Sequence, residues 1–450
     1  MIRSSYFRLR PECYFVKGVK RSAIYNLFAG DMFSLQPMET DILGRCEKNE
    51  SVDAIIRSIC VPSGRVLDFL QCIEKKKMGV FLEKPYYVEK YRDRNIFRHK
   101  SYRRNPPELK IGFISMAYQC TLNCWFCLMR DVSRRWGCFG CNIGPLREGT
   151  YLTTQEIVDT ISQLHAMGCH TLVFRGGDVF IDIKKASAII QRARQLGFEN
   201  IFLVTHGIFN SDECFRLLYE NEVHPIFQVF PPVKDIYEKI TGVTNPLATI
   251  LLSLGRLKKM GMPFSINLLS EYSIMREMKE AVEFYKALSP SSLLEDVLVS
   301  SYMEMQEDGQ WDPVKKALLF DKKFAKVSAS SFFDRWQFHP CLYGKISINI
   351  FGDVSPCPSL YNDVLGNVRE KSLPEIFGEE KYQRYWEMSK EKILPCRSCE
   401  FRYACDECRG LEKWATGTLT EIKYCSYDLL EGTWTSMPRN RLNNKLEPER

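Results

Sequence analysis

The stretch Ile111-Gly-Phe-Ile-Ser-Met-Ala-Tyr118-Gln-Cys120-Thr-Leu-Asn-Cys124-Trp-Phe126-Cys127 decides how this chain reads. Its first eight residues form a largely apolar run that predicts a buried strand. The strand leads directly into three cysteines spaced C-x3-C-x2-C. Their thiols therefore belong to the loop at a strand's C-terminal end, where a parallel α/β barrel keeps its active site. Three thiolates are one fewer than a four-iron cluster takes when closed for electron transfer, so one iron stays open to a small chelating ligand. The alternative is a zinc site or a group of buried free cysteines, because Cys packs as a small hydrophobe and C-x2-C pairs commonly hold zinc.

The residues that follow alternate in period. Helical segments are expected at Thr154 to Met167, Ile183 to Leu196, Asp212 to Tyr219, Pro246 to Met260 and Met275 to Leu288. Between them the strand pattern falls on Thr171 to Phe174, Ile201 to Val204, Pro225 to Phe230, Phe264 to Leu269 and Asp296 to Ser301. Six strands and five helices predict an α/β fold with right-handed crossovers, a partial (βα)6 barrel of the TIM-like kind.

With aromatic Phe126 just before its third cysteine, the triplet resembles the signature of the radical S-adenosylmethionine (SAM) enzymes. The resemblance implies a 4Fe-4S cluster on Cys120, Cys124 and Cys127 whose open iron binds the amino and carboxylate groups of SAM. An electron from the cluster then breaks the sulfonium, and the 5'-deoxyadenosyl radical abstracts hydrogen. Members of that family use a six-stranded partial barrel. Phe174-Arg175-Gly176-Gly177-Asp178 is similar to their Gly-Gly-Glu segment, which implies that Gly176, Gly177 and Asp178 meet the SAM amino group; here the acid is one methylene shorter. Thr205-His206-Gly207 stands where relatives show Thr-Asn-Gly, so Thr205 and Phe126 join the implied SAM pocket. A Gly-Gly after a strand is otherwise a plain βα turn, and His206, a departure from the pattern, equally suits a packed core.

The second constellation is C-terminal: Cys341, Cys357, Cys396, Cys399, Cys405, Cys408 and Cys425. Their spacing is C-x10-G-x4-C through Gly352, then C-x2-C-x5-C-x2-C and a last cysteine. Paired ligands plus distant single ones suit a small domain stapled by a cofactor that supplies its folding free energy. The pattern resembles the SPASM domain of radical SAM peptide-modifying enzymes, except that two residues rather than three precede the sixth cysteine. The resemblance implies two auxiliary 4Fe-4S clusters, one on Cys396, Cys399, Cys405 and Cys425, the other on Cys341, Cys357 and Cys408. This chain lacks the eighth cysteine relatives often have before Cys341, which leaves the second cluster an open iron, a place for His339, or a structural role for His339. Zinc ribbons also use C-x2-C pairs, but two zinc sites need eight ligands. Disulfides are rejected: 18 cysteines accompany no signal peptide and no long apolar run, which predicts an intracellular, cytoplasmic protein.

Eight cysteines remain. Cys138 and Cys141 form another C-x2-C among Gly137, Gly140 and Gly144, read either as a substrate, metal or redox pair or as a glycine-tightened turn. Cys13, Cys46, Cys60, Cys72, Cys169 and Cys214 are scattered packing residues.

A length of 450 residues and 45% hydrophobic content support several cored domains. The expected boundaries are 1–105, 106–330, 331–435 and a tail at 436–450 rich in Arg, Asn and Glu, read as disordered. The first unit shows strands at Tyr14 to Val19 and Ile24 to Leu27, helices at Pro37 to Glu47, Val52 to Ile59 and Arg65 to Lys76, and a strand near Val80 to Leu82. This order resembles the winged-helix-like element by which peptide-modifying enzymes take a precursor's leader as an added strand; a structural cap is the alternative. Basic residues Lys90, Arg92, Arg94, Arg98, Lys100, Arg103 and Arg104 with interleaved aromatics imitate a nucleic-acid patch. No recognised module accompanies them and net charge is only +7, so a linker or a dock for an acidic peptide is expected, without nucleic acid or membrane as partner.

The whole pattern resembles the maturases of grasp-with-SPASM peptide systems. That implies a precursor peptide with a leader as substrate, thioether or carbon-carbon crosslinking as reaction, and an electron donor such as flavodoxin or ferredoxin. The other readings are formylglycine formation on a folded protein, as in sulfatase-maturing enzymes, and a non-catalytic iron-sulfur protein.

Overall fold

The computed structural model describes residues 5–92, 109–125, 127, 148–270, 272–288, 290–297, 324 and 326–434. By contact the chain forms two compact units, one of residues 1–96, 319–341 and 386–450, the other of residues 97–318 and 342–385. The boundaries expected at 105, 330 and 435 follow the chain, whereas each unit collects segments far apart in sequence.

In the first unit, β1 (Tyr6–Leu9) pairs antiparallel with β5 (Gly79–Leu82), and β2 (Cys13–Lys17), β3 (Ser22–Asn26) and β4 (Asp31–Leu35) form an antiparallel sheet in that order. Helices α1 (Pro37–Cys46), α2 (Val52–Ser58) and α3 (Ser63–Lys75) fill the sequence between β4 and β5. Pro37 opens α1, and the Glu39 carboxylate accepts from the Gln36 N–H at 2.7 Å, satisfying an orphan donor of the first turn. In α3 the buried Val66, Leu70 and Ile73 recur at helical spacing and meet Phe7, Leu9, Ile24 and Leu35 in one apolar core. Strands β1 and β4 were not foreseen. β4 buries only Leu35 of its five residues, so its alternation is faint, and Gly30-Asp31 reads locally as a turn.

The second unit holds the expected parallel sheet. Strands β6 (Ile111–Ala117), β7 (Thr171–Gly176), β8 (Asn200–Thr205), β9 (Val223–Val229), β10 (Ser265–Ser270) and β11 (Ser292–Val297) lie side by side in chain order, all parallel. Helices α4 (Thr154–Ala166), α5 (Ile183–Leu196), α6 (Asp212–Glu220), α7 (Lys234–Thr241), α8 (Pro246–Lys259) and α9 (Met278–Ala287) connect them. Sequential parallel neighbours need crossovers of this length, and helices supply them. In α5, Ala186, Ile189, Ile190 and Ala193 are buried on one face, and Gly197 ends the helix in the left-handed region at φ 91°.

Three details differ from expectation. Helix α7 is an extra turn between β9 and α8. β11 starts four residues before the predicted Asp296, and 298–301 lie outside the described residues. A 3-10 segment, Tyr272–Glu277, precedes α9. The sheet also continues past β6: β12 (Lys345–Ile348) pairs parallel with Ile111–Ile114, followed by antiparallel β13 (Asp353–Ser355) and β14 (Gly366–Asn367). Chain between Cys341 and Cys357 thus becomes a seventh parallel strand beside the one that carries the triplet.

Arg369, just past β14, ties this extension to α4. Its guanidinium meets Glu156 at 2.6 Å and donates to the carbonyls of Thr150 and Tyr151 at 2.8 and 2.9 Å. Glu156 also accepts from the Thr153 N–H at 2.7 Å, closing a capping box. The bond from Arg369, then those from Thr153, bring the carboxyl from the usual 4.5 down to about 2. A carboxyl depressed by folding adds stability above pH 4.5 that is lost as pH falls through about 2. Between those limits the urea midpoint of Glu156→Gln should fall less steeply than that of wild type; parallel curves would show that the pair contributes nothing.

Candidate functional site

The triplet loop leaves β6 and is fixed by backbone bonds from two directions. Gly177 N–H donates to Ala117 O at 3.1 Å and Asp178 N–H to Gln119 O at 2.7 Å. From the other side, Asn123 N–H donates to Thr241 O at 2.7 Å and Trp125 N–H to Ile240 O at 3.2 Å. The C-terminal carbonyls of α7, left over by helix geometry, are therefore used to hold the loop. Nothing in the local pattern signalled this role, because α7 itself went unread.

Within the loop, the Leu122 N–H points at Cys120 Sγ at 3.4 Å and Cys127 N–H donates to Cys124 O at 3.1 Å. Such a turn gathers sulfur acceptors and amide donors in one place, which suits an anionic iron-sulfur cluster whose potential amide bonds to sulfur tune. Cys124 is buried, while Cys120 and Cys127 are half-buried.

The Gly-Gly of β7 has a steric reason. Gly176 has φ +126°, and a Cβ there would lie 2.4 Å from Ala117 O. A Cβ on Gly177 would lie 2.0 Å from Gln119 O. The β6 chain crosses directly over the end of β7, and only glycines leave room. Asp178 accepts from the Phe180 N–H at 3.1 Å and from Thr121 Oγ1 at 3.2 Å, so it joins the triplet loop to β7. Burial raises its carboxyl above the usual range, against these two bonds and the charge of His206. Thr205, buried at the end of β8, accepts from the Gly207 N–H at 3.0 Å. His206 is buried too, as the core reading had it.

Tyr118, two residues before Cys120, went unnoticed in the sequence. It is 7% exposed, stacks on Tyr151 with centroids 5.7 Å apart, and packs on Phe351. Burial, then the nearby Cys127 and Tyr151, push its phenol up. Phe126, Cys138 and Cys141 lie outside the described residues.

In the first unit, Cys396, Cys399, Cys405 and Cys425, the four that the resemblance groups together, line one cavity. The 3-10 turn Cys396–Ser398 presents the first pair, and the Phe401 N–H points at Cys399 Sγ at 3.4 Å. Burial pushes the Cys396 thiol well up; Lys390 opposes that, and Cys425 and Cys405 add to it. Clustered buried thiols lose their protons on binding metal, so loading of the site is pH-dependent. Four cysteines around a cavity suit a four-iron cluster. Among the described residues no three His, Cys, Asp or Glu side chains are placed to hold one metal ion. Every described cysteine is free of disulfides.

His339 is fully buried. Its Nε2 meets Glu407 Oε1 at 2.7 Å and its Nδ1 accepts from the Cys341 N–H at 3.2 Å. Both ring nitrogens are engaged, so the structural role prevails over iron ligation. Burial would raise the Glu407 carboxyl, but His339, Arg409 and Lys390 together hold it down at about 2. Cys408 stands at the N-terminus of α10 (Arg409–Thr416), and Cys357, in the second unit, precedes the 3-10 turn Pro358–Leu360.

Comparison with known proteins agrees with this geometry. The family model described as the radical SAM superfamily matches residues 114–284, and the SPASM model, an iron-sulfur cluster-binding domain, matches residues 341–400. AdoMet-dependent heme synthase of Oleidesulfovibrio alaskensis is 21% identical over 310 residues, 61% of this chain and 79% of that protein. GTP 3',8-cyclase of Synechocystis is 27% identical over 188 residues, 41% of this chain and about half (52%) of that protein. Among solved structures, SuiB of Streptococcus suis is similar with a TM-score of 0.51 at 13% identity, covering 93% of this chain and 99% of that one. SuiB bound to its precursor peptide SuiA gives 0.52 over the same shares, also at 13% identity. At that identity the likeness is one of fold.

Proposed function

Because the chain belongs to the radical SAM enzymes and carries a SPASM iron-sulfur domain, we propose that it is a peptide maturase, closing a thioether or carbon-carbon crosslink in a ribosomally made precursor. The single observation that carries this reading is the pairing of two separate cysteine sites, the open triplet after β6 and the four-cysteine cavity. When loaded, the triplet's cluster supplies the electron that cleaves SAM and so the radical that takes a hydrogen from the peptide. Crosslinking removes two hydrogens in all: one leaves with 5'-deoxyadenosine, the other as a proton and an electron. The four-cysteine site gives that electron somewhere to go. The resemblance assigns Cys341, Cys357 and Cys408 to the second auxiliary cluster.

Residues of the chain do the positioning. Gly176, Gly177 and Asp178 form the rim against which the SAM amino group would sit, with Thr205 on the neighbouring strand and Phe126 in the triplet. The three-stranded sheet of the first unit offers β4 as an edge, paired on one side among the described residues, with Asp31 and Ser34 exposed; a leader peptide would add there through backbone bonds. SuiB, which shares the fold, binds the precursor peptide SuiA. Flavodoxin or ferredoxin would supply electrons. No helix among the described residues is long and apolar enough to cross a membrane, and the free cysteines favour the reducing cytoplasm.

The test is anaerobic incubation of the reconstituted protein with SAM, dithionite and a synthetic precursor peptide that carries a leader and a cysteine-containing core. Loss of two hydrogens from the peptide, with 5'-deoxyadenosine formed in step, is the expected result. An unchanged peptide alongside oxidation of a folded sulfatase would replace this reading with formylglycine formation.

A further inference from the structure

Lys390 is 1% exposed, a rare state for a lysine unless its charge has a use. It opens the 3-10 turn Lys390–Lys392, lines the cavity with Cys396, Cys399, Cys405 and Cys425, and its Nζ donates to the carbonyl of Cys405. Arg402, Glu407 and Glu412 line the cavity as well, and the Lys390 charge helps to hold the Glu407 carboxyl down. Arg402 donates to the Cys399 carbonyl at 2.8 Å and meets Glu391 at 2.6 Å. Glu407 is held by His339 at 2.7 Å and faces Arg409 at 3.5 Å, and Glu412 accepts from the Lys423 and Tyr424 N–H groups at 2.6 and 3.2 Å.

We propose that Lys390 is the charge that sets the redox poise of the iron-sulfur cluster on these four cysteines. The inference rests on the cluster reading given above. One-electron reduction adds a negative charge to a cluster already anionic through its four thiolates; no bond breaks and no proton is needed. A buried cation beside the cluster favours the more negative state, because Coulomb attraction is less screened away from bulk water. The cluster on Cys396, Cys399, Cys405 and Cys425 is thereby the easier electron acceptor, which fits a site that must take an electron from a substrate radical.

The experiment is a potentiometric titration followed by electron paramagnetic resonance, on full-length reconstituted protein in which Cys120, Cys124 and Cys127 are alanine so that only auxiliary signals remain. In Lys390→Met, one transition should show an about tenfold lower ratio of reduced to oxidised cluster at the wild-type midpoint, a shift of about 59 mV to lower potential for a one-electron couple. Lys390→Arg, which keeps the charge, should stay close to wild type. An unmoved midpoint in Lys390→Met, an equal shift in Lys390→Arg, or iron missing from Lys390→Met would each overturn the proposal, the last making Lys390 a scaffold residue. Failure of the cluster reading is seen separately: Cys396→Ala and Cys425→Ala would then leave iron content and spectrum unchanged.

Discussion

Protein with Cys120, Cys124 and Cys127 all changed to alanine, reconstituted anaerobically with iron and sulfide, is expected to bind about four irons fewer per chain than the roughly twelve of wild type, and to form no 5'-deoxyadenosine from SAM and dithionite. The expectation follows from where the loop is anchored. Its bonds to β7 and to the end of α7 include those of the backbone groups of Ala117, Gln119, Asn123 and Trp125 and that of the Thr121 hydroxyl to Asp178. Removing three sulfurs leaves these bonds in place, and the auxiliary cysteines belong to other segments. Circular dichroism and the remaining iron should accordingly match a folded protein. Zinc in place of iron in wild type, or SAM cleavage that survives the triple change, would sink the enzyme reading and leave a metal-stapled binding protein.

The triplet and the parallel order of β6 to β11 could be read from the chain because each rests on local pattern: fixed spacing, apolar period and strand-helix alternation; the grouping of Cys396, Cys399, Cys405 and Cys425 came only from the resemblance. What escaped was set by partners distant in sequence. β12 is four residues between two cysteines, and only its pairing with β6 makes it a strand of the main sheet. Tyr118 looked like the end of an apolar run until Tyr151 and Phe351 closed over it. The competing roles of His339 were left open by sequence, and burial against Glu407 decided between them. Lys390 gave no signal at all, since an isolated lysine normally marks a solvated surface.

The glycines of β7 were read as a motif, and the structure turns them into a steric requirement with a measurable consequence. Gly177→Ala places a methyl 2.0 Å from the Gln119 carbonyl oxygen, a backbone atom that cannot swing aside. Either the triplet loop lifts or β7 bends, and overpacking of this kind costs about 1–3 kcal/mol. Strain of that size at the loop should cut 5'-deoxyadenosine formation by about tenfold to a hundredfold, at 1.36 kcal/mol per factor of ten, with much of the loss in SAM affinity because Asp178 N–H must release Gln119 O. Gly255→Ala is the matched control: it lies within α8 with nothing within 4 Å of the added methyl, so it should keep wild-type turnover and gain about 1 kcal/mol in stability from helix propensity. Alanine at 177 with wild-type SAM affinity and turnover would mean that the crossing of β6 over β7 does not hold the triplet in place.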